Sequence, residues 1–140
     1  MNSLFAWIQT MNDYLNLPQG LLMTIAYQEN GRSWKWNQNA ISPRGAKGVM
    51  QIMPNTVTEI KRISGFLPNP YNIIHAMYGA GLYLKWLNRY YDGDWRKAIA
   101  AYNYGLGNVN KIIRKYGYFE EGALPNETKN YMYVADTLGL

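Results

Sequence analysis

Apolar residues recur at three- and four-residue intervals along nearly the whole chain, the spacing of one face of an α-helix. Leu4, Phe5, Ile8, Met11 and Leu15 form the first stripe, with Ser3 placed to cap it and Leu17-Pro18 to end it. Pro18 suits the first turn of a second helix that runs to about Glu29 and aligns Leu21, Leu22, Ile25 and Ala26. Asn30 to Lys47 is rich in Asn, Gly and Ser and contains Pro43, so it reads as loop or short turns. Pro54 opens a helix toward Ile63, and Ser64 to Pro70 connects it to the longest one. That helix is capped by Asn72 and spans about Ile73 to Tyr91, with Met77, Gly81, Leu84 and Leu87 in line. Asp92-Gly93-Asp94 makes a turn, and Asp94 caps Trp95 to Tyr104. Gly105 and Gly107 break that helix, and Asn108 starts another to about Tyr116. The last helix begins after Pro125, with Asn126 at the cap, and reaches about Thr137. No stretch alternates like a strand and none repeats. The pattern predicts one all-α domain over 1–140.

Composition narrows the chemistry. The 140 residues hold no cysteine, which excludes a disulfide framework, a thiolate zinc site and a cysteine nucleophile. A single histidine, His75, leaves no pair for a zinc motif and argues against a Ser-His-Asp triad. Tyrosine (13) and tryptophan (5) far outnumber phenylalanine (3), a bias toward rings with a polar handle that suit half-wet surfaces. Trp86 and Trp95 fall on helical faces and read as core, whereas Trp34 and Trp36 suit either sugar stacking or packing of their loop. The net charge is +5, concentrated in residues 32–62 and in Lys85 to Lys115. Such a field draws anionic polymers: nucleic acid, an acidic membrane surface or a cell-wall polysaccharide. No run approaches the ~20 apolar residues of a membrane span, so stable membrane insertion is not expected. Met1 to Leu17 lacks the basic start of a secretory signal.

Glu29 is the first candidate for chemistry. It extends the buried stripe of the second helix at its C-terminal end. Partial burial and the negative end of the helix dipole both disfavour a carboxylate. A group so placed keeps its proton near neutral pH, as a general acid must.

Three segments downstream of Glu29 strengthen the case. Ser42-Pro43-Arg44-Gly45-Ala46-Lys47-Gly48-Val49-Met50-Gln51-Ile52-Met53-Pro54 comes first. Ala101-Tyr102-Asn103-Tyr104-Gly105 and Glu127-Thr128-Lys129-Asn130-Tyr131 come after it in order. Together they resemble the catalytic domain of soluble lytic transglycosylases, in the goose-type lysozyme superfamily. The resemblance covers about Leu21 to Val134. It implies a lysozyme-like compact helical domain with a substrate groove. It also implies Glu29 as catalytic acid/base and Ser42, Gln51, Met53, Tyr102, Asn103 and Tyr131 as substrate-binding residues, with no metal or cofactor. Glu120 or Glu121 is a looser match to an acidic substrate contact. Within the long motif, Met50 and Ile52 read as core while Gln51 and Met53 face the groove. Two departures stand out: Asn30 replaces the serine usual after the glutamate, and the stretch to Ser42 is about four residues longer, adding Gly31 to Lys35 in some arrangement.

Glycoside hydrolysis ordinarily uses two carboxylates, ~5–5.5 Å apart for retention or ~6.5–9.5 Å for inversion. Here only Glu29 has a strong case, which fits a substrate-assisted route ending in a 1,6-anhydro sugar. The partner so implied is a peptidoglycan glycan strand, met by a monomer with no nucleic-acid role. Three alternatives come from other classes: a hydrolytic lysozyme of the same fold, a non-catalytic wall-binding module, and a small basic nucleic-acid binder. A domain that starts at Met1 without a signal suggests synthesis in the cytoplasm and action on the wall. Bacteriophage-mediated lysis through a holin pore, carriage in a virion, or use by a secretion system to open the wall locally would supply that access.

Overall fold

A computed structural model describes residues 2–140. Among these residues eight α-helices follow one another: α1 (Asn2–Tyr14), α2 (Leu21–Glu29), α3 (Pro54–Ser64), α4 (Ile73–Tyr90), α5 (Trp95–Tyr104), α6 (Leu106–Tyr116), α7 (Asn126–Tyr131) and α8 (Tyr133–Thr137). A 3₁₀ turn, Glu121–Ala123, precedes α7. Among the described residues the only β-type pairings are two isolated bridges, Ile41 with Lys47 and Lys47 with Ile52. The all-α expectation holds. Among the described residues, no helix is long and apolar enough to cross a membrane. The chain divides into two compact units, Met1–Lys85 and Trp86–Leu140.

In the first unit, α1 packs on α2 through Ile8, Leu15, Leu21, Leu22 and Ile25, all buried. Glycine lets α4 come close to this core. A Cβ on Gly81 would stand 2.4 Å from Leu15 Cδ1. The junction of α1 and α2 is organised by Asn12, which is only 2% exposed. Its Nδ2 donates to the Leu17 (3.3 Å) and Pro18 (2.9 Å) carbonyls, and its Oδ1 accepts from the Leu22 N–H at 3.1 Å. This side chain explains why α2 starts later than Pro18 suggests. Residues 18–20 form a turn, closed by the Leu21 N–H on the Pro18 carbonyl at 3.1 Å, with Gly20 left-handed at φ 81°. Ser3 lies inside α1, after its first residue.

Other helix limits follow the expected signals. Pro54 occupies the first turn of α3, and left-handed Gly65 ends it. Asn72 Oδ1 accepts from the His75 N–H at 3.0 Å, capping α4. Asp94 does the same for α5 through the Lys97 N–H at 3.1 Å.

In the second unit α5 lies against α6, α7 and α8, with Ala98 to Ala101, Val109, Leu124, Val134 and Ala135 buried. Trp86 and Trp95 are only half-buried, so neither is core; Trp86 stacks on Tyr90 at 5.6 Å. Asn108 is not a helix start. Its Nδ2 donates to the Tyr104 carbonyl at 2.8 Å, across the kink that separates α5 from α6. The final helix is two pieces that meet at Met132, whose N–H is shared between the Thr128 (3.1 Å) and Lys129 (3.2 Å) carbonyls. Pro125, not Asn126, occupies the N-cap position of α7, without a side-chain capping bond. Arg96 ties the unit together: it grips Glu121 at both carboxylate oxygens (2.7 Å each) and also reaches Asp136 and the Leu140 carbonyl, both at 2.9 Å.

Asn12→Ala leaves the Leu22 N–H and the Leu17 carbonyl without their buried side-chain partner, while the Pro18 carbonyl keeps the Leu21 N–H. We expect a loss of about 2–3 kcal/mol in unfolding free energy, by the cost of orphaned buried groups, measured as a lowered urea midpoint at unchanged slope.

Candidate active site

Glu29 is the last residue of α2 and is half-buried. The helix ends immediately beyond it in a Schellman motif. The Arg32 N–H reaches back to the Tyr27 carbonyl at 2.8 Å, and the Gly31 N–H to that of Gln28 at 3.3 Å. Gly31 holds the required left-handed conformation at φ 69°. Glycine is needed there for that conformation, which a side chain would strain. The motif fixes where the helix stops and therefore where the Glu29 carboxyl begins.

Asn30, the departure from the expected serine, proves to be a structural link. Its Nδ2 gives one hydrogen to the Ala26 carbonyl (2.7 Å) and the other to the Val49 carbonyl (2.9 Å). The first bond stays on α2. The second crosses to the long motif, nineteen positions on, and couples the end of α2 to it.

That motif is a pair of tight turns. Ser42 and Ala46 close the first: the Ser42 N–H donates to the Ala46 carbonyl at 2.8 Å, and the Ala46 N–H returns a bond to Ser42 Oγ at 3.0 Å. Gly48 and Gln51 close the second. The Gln51 N–H (3.1 Å) and Nε2 (2.8 Å) both donate to the Gly48 carbonyl. Gln51 is left-handed at φ 49°, a conformation that costs a side-chain-bearing residue about 1 kcal/mol or more. Met50 and Ile52 are buried, whereas Gln51 and Met53 remain half-exposed, as their alternation predicts. Lys47 spreads its ammonium over the Tyr71 ring at 5.8 Å.

The second unit carries the remaining expected site residues. Tyr102 and Asn103 lie in the last turn of α5. The Tyr102 ring stacks on Tyr131 of α7 at 6.4 Å and 23°. Thr128, absent from the expected set, is 1% exposed and donates through Oγ1 to Asn103 Oδ1 at 2.8 Å. The A-Y-N and E-T-x-N-Y segments are thus one packed arrangement. Tyr131 is itself 2% exposed. Glu121 is held by Arg96, and Glu120 Oε2 accepts from the Gly122 N–H at 3.4 Å.

The transglycosylase SLT domain model matches residues 6–124 of this chain, so the chain belongs to that family. The match contains Glu29, Ser42, Gln51, Met53, Tyr102 and Asn103, while Tyr131 lies beyond it. Among similar proteins, the membrane-bound lytic murein transglycosylase D of Escherichia coli K12 is 28% identical over 134 residues, covering 90% of this chain and 28% of its own length. The soluble lytic murein transglycosylase of the same strain is 36% identical over 101 residues, covering 66% of this chain and 15% of its own. The chain therefore spans less than a third of these relatives. An inactive mutant of lytic transglycosylase Slt from Pseudomonas aeruginosa shares the fold, with a TM-score of 0.75 at 22% identity over 96% of this chain and 23% of that one. The 70 kDa soluble lytic transglycosylase of Escherichia coli gives 0.67 at 25% identity over 96% and 21%.

Two glycines separate steric from conformational cost in the turns. A Cβ on Gly48 would lie 1.8 Å from the Pro70 carbonyl oxygen, whereas one on Gly45 meets nothing within 4 Å; both residues are left-handed. Gly45→Ala is expected to lose about 1 kcal/mol, the backbone term alone. Gly48→Ala should lose at least about 2 kcal/mol more, because backbone must move. Chemical denaturation of the two variants side by side tests the difference.

Proposed function

We propose that this chain is the catalytic domain of a peptidoglycan lytic transglycosylase. It would cleave the β-1,4 bond between N-acetylmuramic acid and N-acetylglucosamine and leave 1,6-anhydro-muramyl ends. The observation that carries the reading is Glu29: a half-buried carboxyl ending α2, coupled through Asn30 to the Gln51 turn, within a chain of the SLT family. The names of the relatives, lytic murein transglycosylases, support the same substrate class.

Four of the other eight acids are engaged elsewhere, which supports a one-carboxyl mechanism. Glu59 is engaged by Arg62, whose hydrogen bond holds its carboxyl below the usual range. Glu121 and Asp136 are committed to Arg96, and Asp94 to its cap and Lys97. Glu29 protonates the glycosidic oxygen, and the bond from that oxygen to C1 of the muramyl residue breaks. The muramyl N-acetyl carbonyl supports the positive charge that develops. Glu29, now a carboxylate, takes the proton from the same sugar's 6-hydroxyl while O6 bonds to C1. No water is consumed. The partially negative end of α2 disfavours the ionised acid at the start of this cycle. Ser42, Gln51, Met53, Tyr102, Asn103 and Tyr131 are the proposed sugar contacts.

Glu29→Gln keeps the shape and removes the transferable proton. Clearing of purified sacculi should fall by about 10²–10⁴-fold, the usual contribution of a positioned acid/base, while sedimentation with sacculi persists. Mass spectrometry of muropeptides released by the unaltered chain should show anhydro ends. Reducing ends heavier by one water would overturn the transglycosylase in favour of a hydrolase, and undiminished clearing by Glu29→Gln would remove Glu29 from its role.

A further inference from the structure

The segment that departs from the family spacing carries an aromatic cluster. Left-handed Gly31 and Arg32, at φ 69° and 58°, reverse the chain and return Trp34 onto α2. There the Trp34 ring meets Tyr27 at 4.6 Å, Phe5 of α1 at 5.6 Å and Trp36 at 6.0 Å. Phe5 also touches Trp36, at 5.7 Å. Ser33 Oγ accepts from the Lys35 N–H at 3.1 Å and stiffens the tip. Phe5, Tyr27 and Trp36 are half-buried, yet Trp34 keeps 49% of its surface open. A ring that only anchored its loop would be expected to bury more of an area worth about 25 cal/mol per Å². Here three rings brace a fourth and leave much of it facing water.

The surroundings select the ligand. From Asn30 to Thr58 the chain has four cations, Arg32, Lys35, Arg44 and Lys47, and not one carboxylate. Arg32 and Lys35 flank Trp34 and are exposed. A flat indole beside positive charge fits a polymer with apolar sugar faces and carboxylates, and Tyr27 places it at the end of α2 that bears Glu29.

We propose that Trp34, braced by Phe5, Tyr27 and Trp36, is an accessory stacking platform for the glycan strand. It would take a pyranose face from a saccharide outside the cleaved pair, with Arg32 and Lys35 attracting the strand's lactyl or peptide carboxylates. The platform deepens the proposed function and rests on it.

The test labels the full chain carrying Glu29→Gln with 5-fluorotryptophan and assigns the Trp34 resonance by its loss in Trp34→Phe. Titration with peptide-free glycan strands released from sacculi should shift that resonance. Trp34→Ala in the same background should bind the strands about tenfold more weakly, equivalent to about 1.4 kcal/mol, with Trp34→Phe recovering most of the loss. Strands that bind while the Trp34 resonance stays still would overturn the platform and leave the proposed function standing. Absence of any binding, together with no clearing by the unaltered chain, would sink the proposed function itself. Because the resonance is read in a chain with Trp34 intact, instability of the alanine variant does not obscure the result.

Discussion

One side-chain amide sets the geometry around the proposed acid of the first unit. Both Nδ2 hydrogens of Asn30 are spent, one on the helix that ends in Glu29 and one on the turn that carries Gln51. A carboxyl useful for proton transfer must be held within a fraction of an ångström of its target, and a helix end on its own frays. The Schellman bonds stop α2 at a fixed residue, and Asn30 then ties that stopping point to a second piece of chain. A serine hydroxyl has one hydrogen to give. The amide has two, and uses both.

The second unit solves a similar problem with different parts. Asn103 and Tyr102 lie in the last turn of α5, and each is met by a residue of α7: Thr128 by hydrogen bond, Tyr131 by ring stacking. Arg96 works from the start of α5, where its fork engages a carboxylate on the 3₁₀ turn and another on α8. These contacts join segments 25 and 40 residues apart in sequence. Short helices such as α7 and α8 have little stability of their own, so such ties are what keep them in place.

Much of this was legible in the sequence where local chemistry decides. Pro54, Asn72 and Asp94 mark helix starts by rules that need only the next few residues, and α3, α4 and α5 begin where those rules say. Legibility failed where a distant partner decides. Pro18 reads as a helix start, yet the buried amide of Asn12 claims its carbonyl and delays α2 to Leu21. Met132 continues the apolar pattern of the last helix, and nothing in its side chain announces the break there. Glu29 was visible as a candidate from its place at a helix end, and Gln51 from the family motif. Asn30 was visible only as an anomaly, because its purpose depends on Val49, and Thr128 stayed hidden because its partner lies on another helix.

The Schellman ending of α2 has a practical corollary for protein engineering. Helical hydrogen bonding is complete at Arg32, so the tip from Ser33 onward can be exchanged without unwinding the turn beneath Glu29. A transplanted loop would have to bring its own greasy cover for Phe5 and Tyr27, which otherwise become wet. Within that restriction, the position is a natural cassette for loop exchange.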